Sequence, residues 1–181
     1  MSILQDVPNS ILWLLVDGQT ARKNLHTEAE RHGVPSSRLV FAEKVGREQH
    51  AARLSMIDLQ LDTFPYTAHT TASDALWAEC PIVTLIGESF PSRVCASILT
   101  TNGVSDLIAS DWTDYREKAV NLARNPLLLT QFRKRIRHGN QNSPLFDISR
   151  YCQNLERAYQ KMMATYAAGD QPAEIDVRNL V

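Results

Sequence analysis

The sequence predicts an α/β fold in which a parallel sheet carries helices on both faces. Three observations lead there. Apolar runs such as ILWLLV at 11–16 and IVTLI at 82–86 lack polar alternation, as strands covered on both faces do. Between these runs, apolar residues recur at helical spacing. Glycine and proline mark the junctions, notably Gly33, Pro81 and Pro91.

The elements follow in order. Residues 11–16 read as a strand buried on both faces, and 19–32 as a helix that Gly33 ends at its C′ position. Residues 38–42 (RLVFA) are a second strand and 48–55 a short helix. A third strand spans 56–62 and meets Asp62. A turn containing Pro65 leads to His69-Thr70-Thr71 and a helix over 71–79, stopped before Pro81. Residues 82–86 are a fourth strand, followed by the loop Gly87-Glu88-Ser89. Pro91 suits the first turn of a helix that reaches about residue 101. Residues 107–109 are a weak fifth strand, and helices are expected at 112–124, 127–140 and 148–168. The tail from Gly169, GDQPAEIDVRNLV, is polar and expected to fray.

The 181 residues suit one domain, and 44% hydrophobic with 22% charged residues is ordinary globular composition. The formal charge of −1 gives no overall basic field for nucleic acid or an anionic membrane. Basic residues cluster only in QFRKRIRHGNQ at 131–141, expected as a solvated helix face. Cys80, Cys95 and Cys152 have no CxxC spacing and read as buried or incidental thiols in a reducing compartment. No run reaches the roughly 18 apolar residues of a membrane span, and MSILQDVPNS lacks the parts of a signal peptide. A cytoplasmic location is the expectation.

The chemistry concentrates in LDTFPYTAHTTASDALWAECP at 61–81. Ligands of such sheets bind at the carboxyl ends of the strands. The connections 62–71 and 87–89 both lie at that edge, so they are expected to face one crevice. His69, Thr70 and Thr71 bring an imidazole, two hydroxyls and backbone N–H groups to a helix N-terminus, where phosphate or pyrophosphate is held. The same spacing is close to a capping box, with Thr71 and Asp74 capping the helix. Both roles are compatible at Thr71. His50 in E-Q-H reads locally as a surface histidine. Arg47 and Arg53 would lie on different faces of one helix. With Arg47 just before the helix both can approach one ligand; the alternative for either is a solvent-facing charge. Gly87-Glu88-Ser89 with Arg93 is either a second ligand-facing helix start or a structural turn with Ser89 as N-cap. His26, His32 and His138 read as surface residues. No metal triad, nucleophile elbow or P-loop is present.

Over 61–99 the chain closely resembles the protein O-GlcNAc transferase family, including its bacterial and SPINDLY-like members. VPNSILWLL at 7–15, RLVFAEKVGREQHAAR at 38–53 and SPLFDISRYCQNLERAY at 143–159 agree, so the resemblance runs to about Gly169. It implies the C-terminal half of a GT-B glycosyltransferase, a Rossmann-like donor-binding domain over 1–168 with a polar tail over 169–181. It further implies inverting transfer of N-acetylglucosamine from UDP-GlcNAc to serine or threonine of an acceptor protein, with no metal or other cofactor. Position by position, His69, Thr70 and Thr71 match phosphate-binding residues and Asp74 the ribose-binding aspartate. His50 matches the histidine against the uracil, Arg53 an arginine near the base, and Val45 a backbone contact to it. Arg47 stands at the place of a lysine that reaches the uridine and phosphate region.

The family's first C-domain strand, with its leaving-group lysine, is expected to precede Met1. No catalytic residue is therefore assigned within this chain. The N-terminal catalytic half and tetratricopeptide repeats are likewise expected partners in a full-length form. Thr67 replaces a common asparagine, and Glu79 replaces a usual glycine. The alternatives are a related transferase using GDP-fucose or UDP-glucose, or an inactive truncated interaction module.

Overall fold

A computed structural model describes residues 1–177; residues 178–181 of the expected tail lie outside the described residues. In chain order the elements are α1 (Ser2–Asp6), β1 (Leu12–Leu15), α2 (Gln19–Arg31), β2 (Leu39–Ala42), α3 (Arg47–Leu54), β3 (Gln60–Leu61) and α4 (Thr70–Trp77). Then follow β4 (Ile82–Leu85), α5 (Val94–Asn102), β5 (Ile108–Ala109), α6 (Trp112–Arg124), α7 (Pro126–Asn142) and α8 (Ile148–Ala168).

All described strand pairs are parallel, but they form two sheets instead of one. β1 pairs with β2, Leu12 opposite Leu39, and the second sheet runs β3-β4-β5. A doubly wound sheet has the strand order 3-2-1-4-5-6. The pieces here fit that order with a break between β1 and β3, which no described strand joins. The expectation that the first strand is buried on both faces is corrected. Leu4, Ala29, Val34 and Leu39 form a small core against this pair, while Leu15 remains 62% exposed. That small core takes in Leu12 but not Leu15.

β4 is the buried centre of the larger sheet: Ile82, Val83, Thr84 and Leu85 are all buried. Leu76, Leu99, Val104, Leu107, Leu122 and Ile136 from the surrounding helices and turns close its core. Each large apolar side chain buried there stabilises the fold by about 1.5–3 kcal/mol.

Several boundaries differ from the sequence expectation. β3 is shorter than 56–62, because Met56 and Ile57 donate back to Arg53 and Leu54 and finish the turn of α3. Its ladder is nevertheless sound, with Gln60 N–H on the Pro81 carbonyl at 2.8 Å and Asp62 N–H on that of Val83 at 3.0 Å. Arg47 is the first residue of α3, not a residue before it. Pro91 lies in a separate 3-10 turn, Phe90–Ser92, and α5 starts only at Val94. The helix α1 was not expected. It is tied down by Arg38, which donates to the carbonyls of Leu4, Val7 and Ser10 at 2.8, 2.6 and 2.7 Å. Gly33 takes the predicted left-handed conformation, φ +68°.

The basic run on α7 is largely exposed, as expected, but three of its arginines are paired with the chain itself. Arg133 donates to the Ile57 carbonyl at 2.6 Å, Arg135 to Gly103 at 2.8 Å and to Asp106 at 2.5 Å, and Arg137 to both Glu79 oxygens at 2.7 and 2.6 Å. These guanidiniums satisfy carbonyls and carboxylates at the ends of neighbouring segments. Glu79 has φ +59°, the left-handed conformation in which glycine is least strained. The paired Arg137 holds the non-glycine residue there. α5 and α7 touch at Gly139, where an added Cβ would lie 2.1 Å from the Asn102 carbonyl oxygen. α8 buries no residue and leaves Ile148, Tyr151, Tyr159, Met162 and Tyr166 exposed.

Candidate functional site

The loop from β3 to α4 is built around Asp62. This residue is 8% exposed, and its carboxylate accepts from the N–H groups of Thr63 and Ala68, both at 2.8 Å, and from the Thr84 hydroxyl at 2.6 Å. The Tyr115 hydroxyl donates to the Asp62 carbonyl at 2.8 Å. Burial first, and then the charge of Asp62, push the Tyr115 phenol well above its ordinary range. It remains a neutral donor.

That loop delivers His69 to the N-cap position of α4. No side chain caps this helix start, so the capping-box arrangement of Thr71 with Asp74 does not form. The His69 carbonyl accepts the N–H groups of Ala72 at 3.0 Å and Ser73 at 3.3 Å. The N–H groups of Thr70 and Thr71 have no partner among the described residues, and both residues are exposed. The positive end of the α4 dipole is thus open to an anion. The Nε2 atom of His69 is buried and unpartnered among the described residues.

The second loop lies against the first. Thr67 Oγ1 donates to the Pro91 carbonyl at 2.6 Å and accepts from the Cys95 N–H at 3.4 Å. The Thr67 N–H reaches the same carbonyl at 3.1 Å. The residue that departs from the family pattern therefore latches the two loops together. The Gly87 N–H donates to Ser92 at 3.0 Å, and a Cβ at Gly87 would fall 2.4 Å from Ser92 Oγ. Ser89 does not cap with its side chain; its hydroxyl meets that of Ser92 at 2.9 Å. Arg93 is exposed, and its side chain has no partner among the described residues.

The uridine candidates come from the β2–α3 connection and α3, which packs against α4. Val45 and His50 are half-buried and Arg47 is exposed. Among the described residues no hydrogen bond or ring contact links Arg47 or His50 to His69 or Asp74. Arg53 is held differently: it donates to the Glu43 carbonyl at 2.6 Å and sits 5.8 Å over the Trp13 ring. It braces the connection that carries Val45.

Sequence reading did not single out Tyr66, Phe90 or Thr84. Tyr66 stacks on His69 with ring centroids 4.8 Å apart and planes at 18°. Phe90 meets His69 edge-on at 6.1 Å and 90°. The aromatic spacing F-P-Y before His69 was the available signal. Cys80 and Cys95 are buried and free, whereas Cys152 is free and exposed. Among the described residues no group of three or more His, Cys, Asp or Glu could hold a metal ion. No described helix is long and apolar enough to cross a membrane.

A probable UDP-N-acetylglucosamine–peptide N-acetylglucosaminyltransferase SEC of Arabidopsis thaliana is 36% identical over 177 residues, 97% of this chain and 18% of the relative. The UDP-N-acetylglucosamine–peptide N-acetylglucosaminyltransferase of Caenorhabditis elegans is 34% identical over 169 residues, 93% of this chain and 15% of the relative. The chain therefore spans less than a fifth of these relatives' length. The solved structure of a Thermobaculum terrenum O-GlcNAc transferase mutant superposes with a TM-score of 0.82 at 29% identity, covering 89% of this chain and 32% of that one. The fold is thus part of a GT-B transferase, as the resemblance implied. Residues 1–155 match the family model of glycosyl transferase family 41, and the chain belongs to that family.

Proposed function

We propose that this chain is the donor-binding part of an inverting transferase that moves N-acetylglucosamine from UDP-GlcNAc to serine or threonine of proteins. The observation that carries this reading is the uncapped start of α4, with open N–H groups on Thr70 and Thr71 and the unpartnered Nε2 of His69. A diphosphate supplies the acceptors these groups lack. The open helix end contributes about 0.3–1 kcal/mol at an exposed site, and each threonine hydroxyl about 0.5–1.5 kcal/mol. The greater gain comes as the sugar–phosphate bond breaks. Negative charge then builds on the leaving UDP, and dipoles already in place stabilise it without reorganising.

In this reading Asp74 holds the ribose, His50 lies against the uracil, and the Val45 backbone contacts the base. Arg47 reaches toward the uridine and phosphates, and Arg53 supports the base-binding connection. Residues 1–168 form the donor domain and 169–181 a polar tail. No metal is required. The leaving-group lysine, the acceptor site, the N-terminal half and the tetratricopeptide repeats come from the rest of a longer, cytoplasmic protein.

Calorimetry with UDP, using GDP as the control nucleotide, tests the reading. UDP is expected to bind in preference to GDP, and His69→Ala to weaken it at least tenfold. No UDP binding, or binding indifferent to His69→Ala, overturns it.

A further inference from the structure

We propose that Tyr66 is a positioning residue that orients the His69 imidazole for the ligand phosphate. The inference rests on the donor-site reading above and adds a residue to it.

An imidazole at a helix start must point one nitrogen at the ligand, and a free side chain spreads over several rotamers. Two rings remove that freedom. Tyr66 lies on His69 at 4.8 Å and 18°, and Phe90 approaches it edge-on at 6.1 Å and 90°. Both geometries are favoured by the charge distribution of aromatic rings. Neither neighbour bonds a ring nitrogen, so Nε2 remains buried and unpartnered.

The platform is itself fixed. The Thr63 hydroxyl donates to the Tyr66 carbonyl at 2.7 Å, and the next residue, Thr67, is latched to Pro91. Tyr66 is nevertheless 63% exposed and Phe90 78% exposed. Such exposure makes Tyr66 a poor contributor to the core, yet its ring is held against a histidine. Its hydroxyl has no partner among the described residues, so the ring face alone carries the role.

The test measures UDP affinity by calorimetry for the full 181-residue chain and five variants, with thermal unfolding as the folding check. Tyr66→Phe is expected to bind as the parent does. Tyr66→Leu and Tyr66→Ala are expected to lose about 3- to 10-fold, the range of one aromatic pair, without a lower melting temperature. In the His69→Ala background, Tyr66→Leu is expected to cost nothing further. Parent-like binding by Tyr66→Leu, or an undiminished loss when His69 is already absent, overturns the inference and leaves the donor site standing. UDP binding indifferent to His69→Ala removes both.

Discussion

The hydroxyl of Thr84, at the centre of the larger sheet, donates to the carboxylate of Asp62 at 2.6 Å. This bond connects the rigid interior to the loop that carries His69. The other carboxylate oxygen gathers two loop N–H groups. Asp62→Ala would strand all three donors, and an unsatisfied buried polar group costs about 1–3 kcal/mol. Partial access of water to the loop limits the sum, so a loss of about 3 kcal/mol is expected in urea unfolding. Asp62→Asn keeps an acceptor oxygen and is expected to lose less than half of that.

The approach of α5 to α7 gives a second prediction. A Cβ on Gly139 would meet the Asn102 carbonyl at 2.1 Å and its side chain at 2.7 Å. That carbonyl belongs to the last residue of α5 and cannot rotate away. The two helices must separate, which would also strain the bond from Asn102 Nδ2 to Asn140 at 2.9 Å. Gly139→Ala is expected to destabilise by about 3 kcal/mol, the upper end for overpacking, measured as a lower urea midpoint at unchanged slope.

The thiols should divide sharply. Burial pushes the Cys80 thiol up to about 11, and burial followed by the nearby Asp62 pushes Cys95 higher still. Only the thiolate reacts quickly. At pH 8 iodoacetamide is expected to label Cys152 in the folded chain and to reach Cys80 and Cys95 only after urea is added. Peptide mass mapping checks the order.

Acid should loosen the link between α4 and α7. The Arg137 hydrogen bond holds the Glu79 carboxyl below its ordinary range. A lowered folded value means the stabilisation is complete above the unfolded value and is lost as pH falls through the folded one. Glu79→Gln is therefore expected to be less stable than the parent at pH 7, with a narrower gap at pH 3. Paired urea titrations at the two pH values measure it.

Much of the fold was legible in local pattern. The uninterrupted run IVTLI marked the buried strand β4, and helical spacing placed α6 and α8 at their observed bounds. Local pattern was silent where long-range bonds set the outcome. α1 is anchored by Arg38, more than thirty residues from Leu4. α7 spends its arginines on the chain itself because Ile57, Gly103 and Glu79 arrive beside it only after folding. At the site, the loop chemistry of His69, Thr70 and Thr71 was readable, but whether the helix was capped was not. Capping depends on which side chain reaches which N–H, a matter of tenths of an ångström.

The sequence alone determined the alternation of strand and helix, the family resemblance and the place of the chemically loaded loop, because these depend on residue type and spacing along the chain. The tertiary structure decided the break between β1 and β3, the latch from Thr67 to Pro91 and the stacking of Tyr66 on His69. Each of these depends on the distance between groups once the backbone has closed, and the order of residues does not specify that distance.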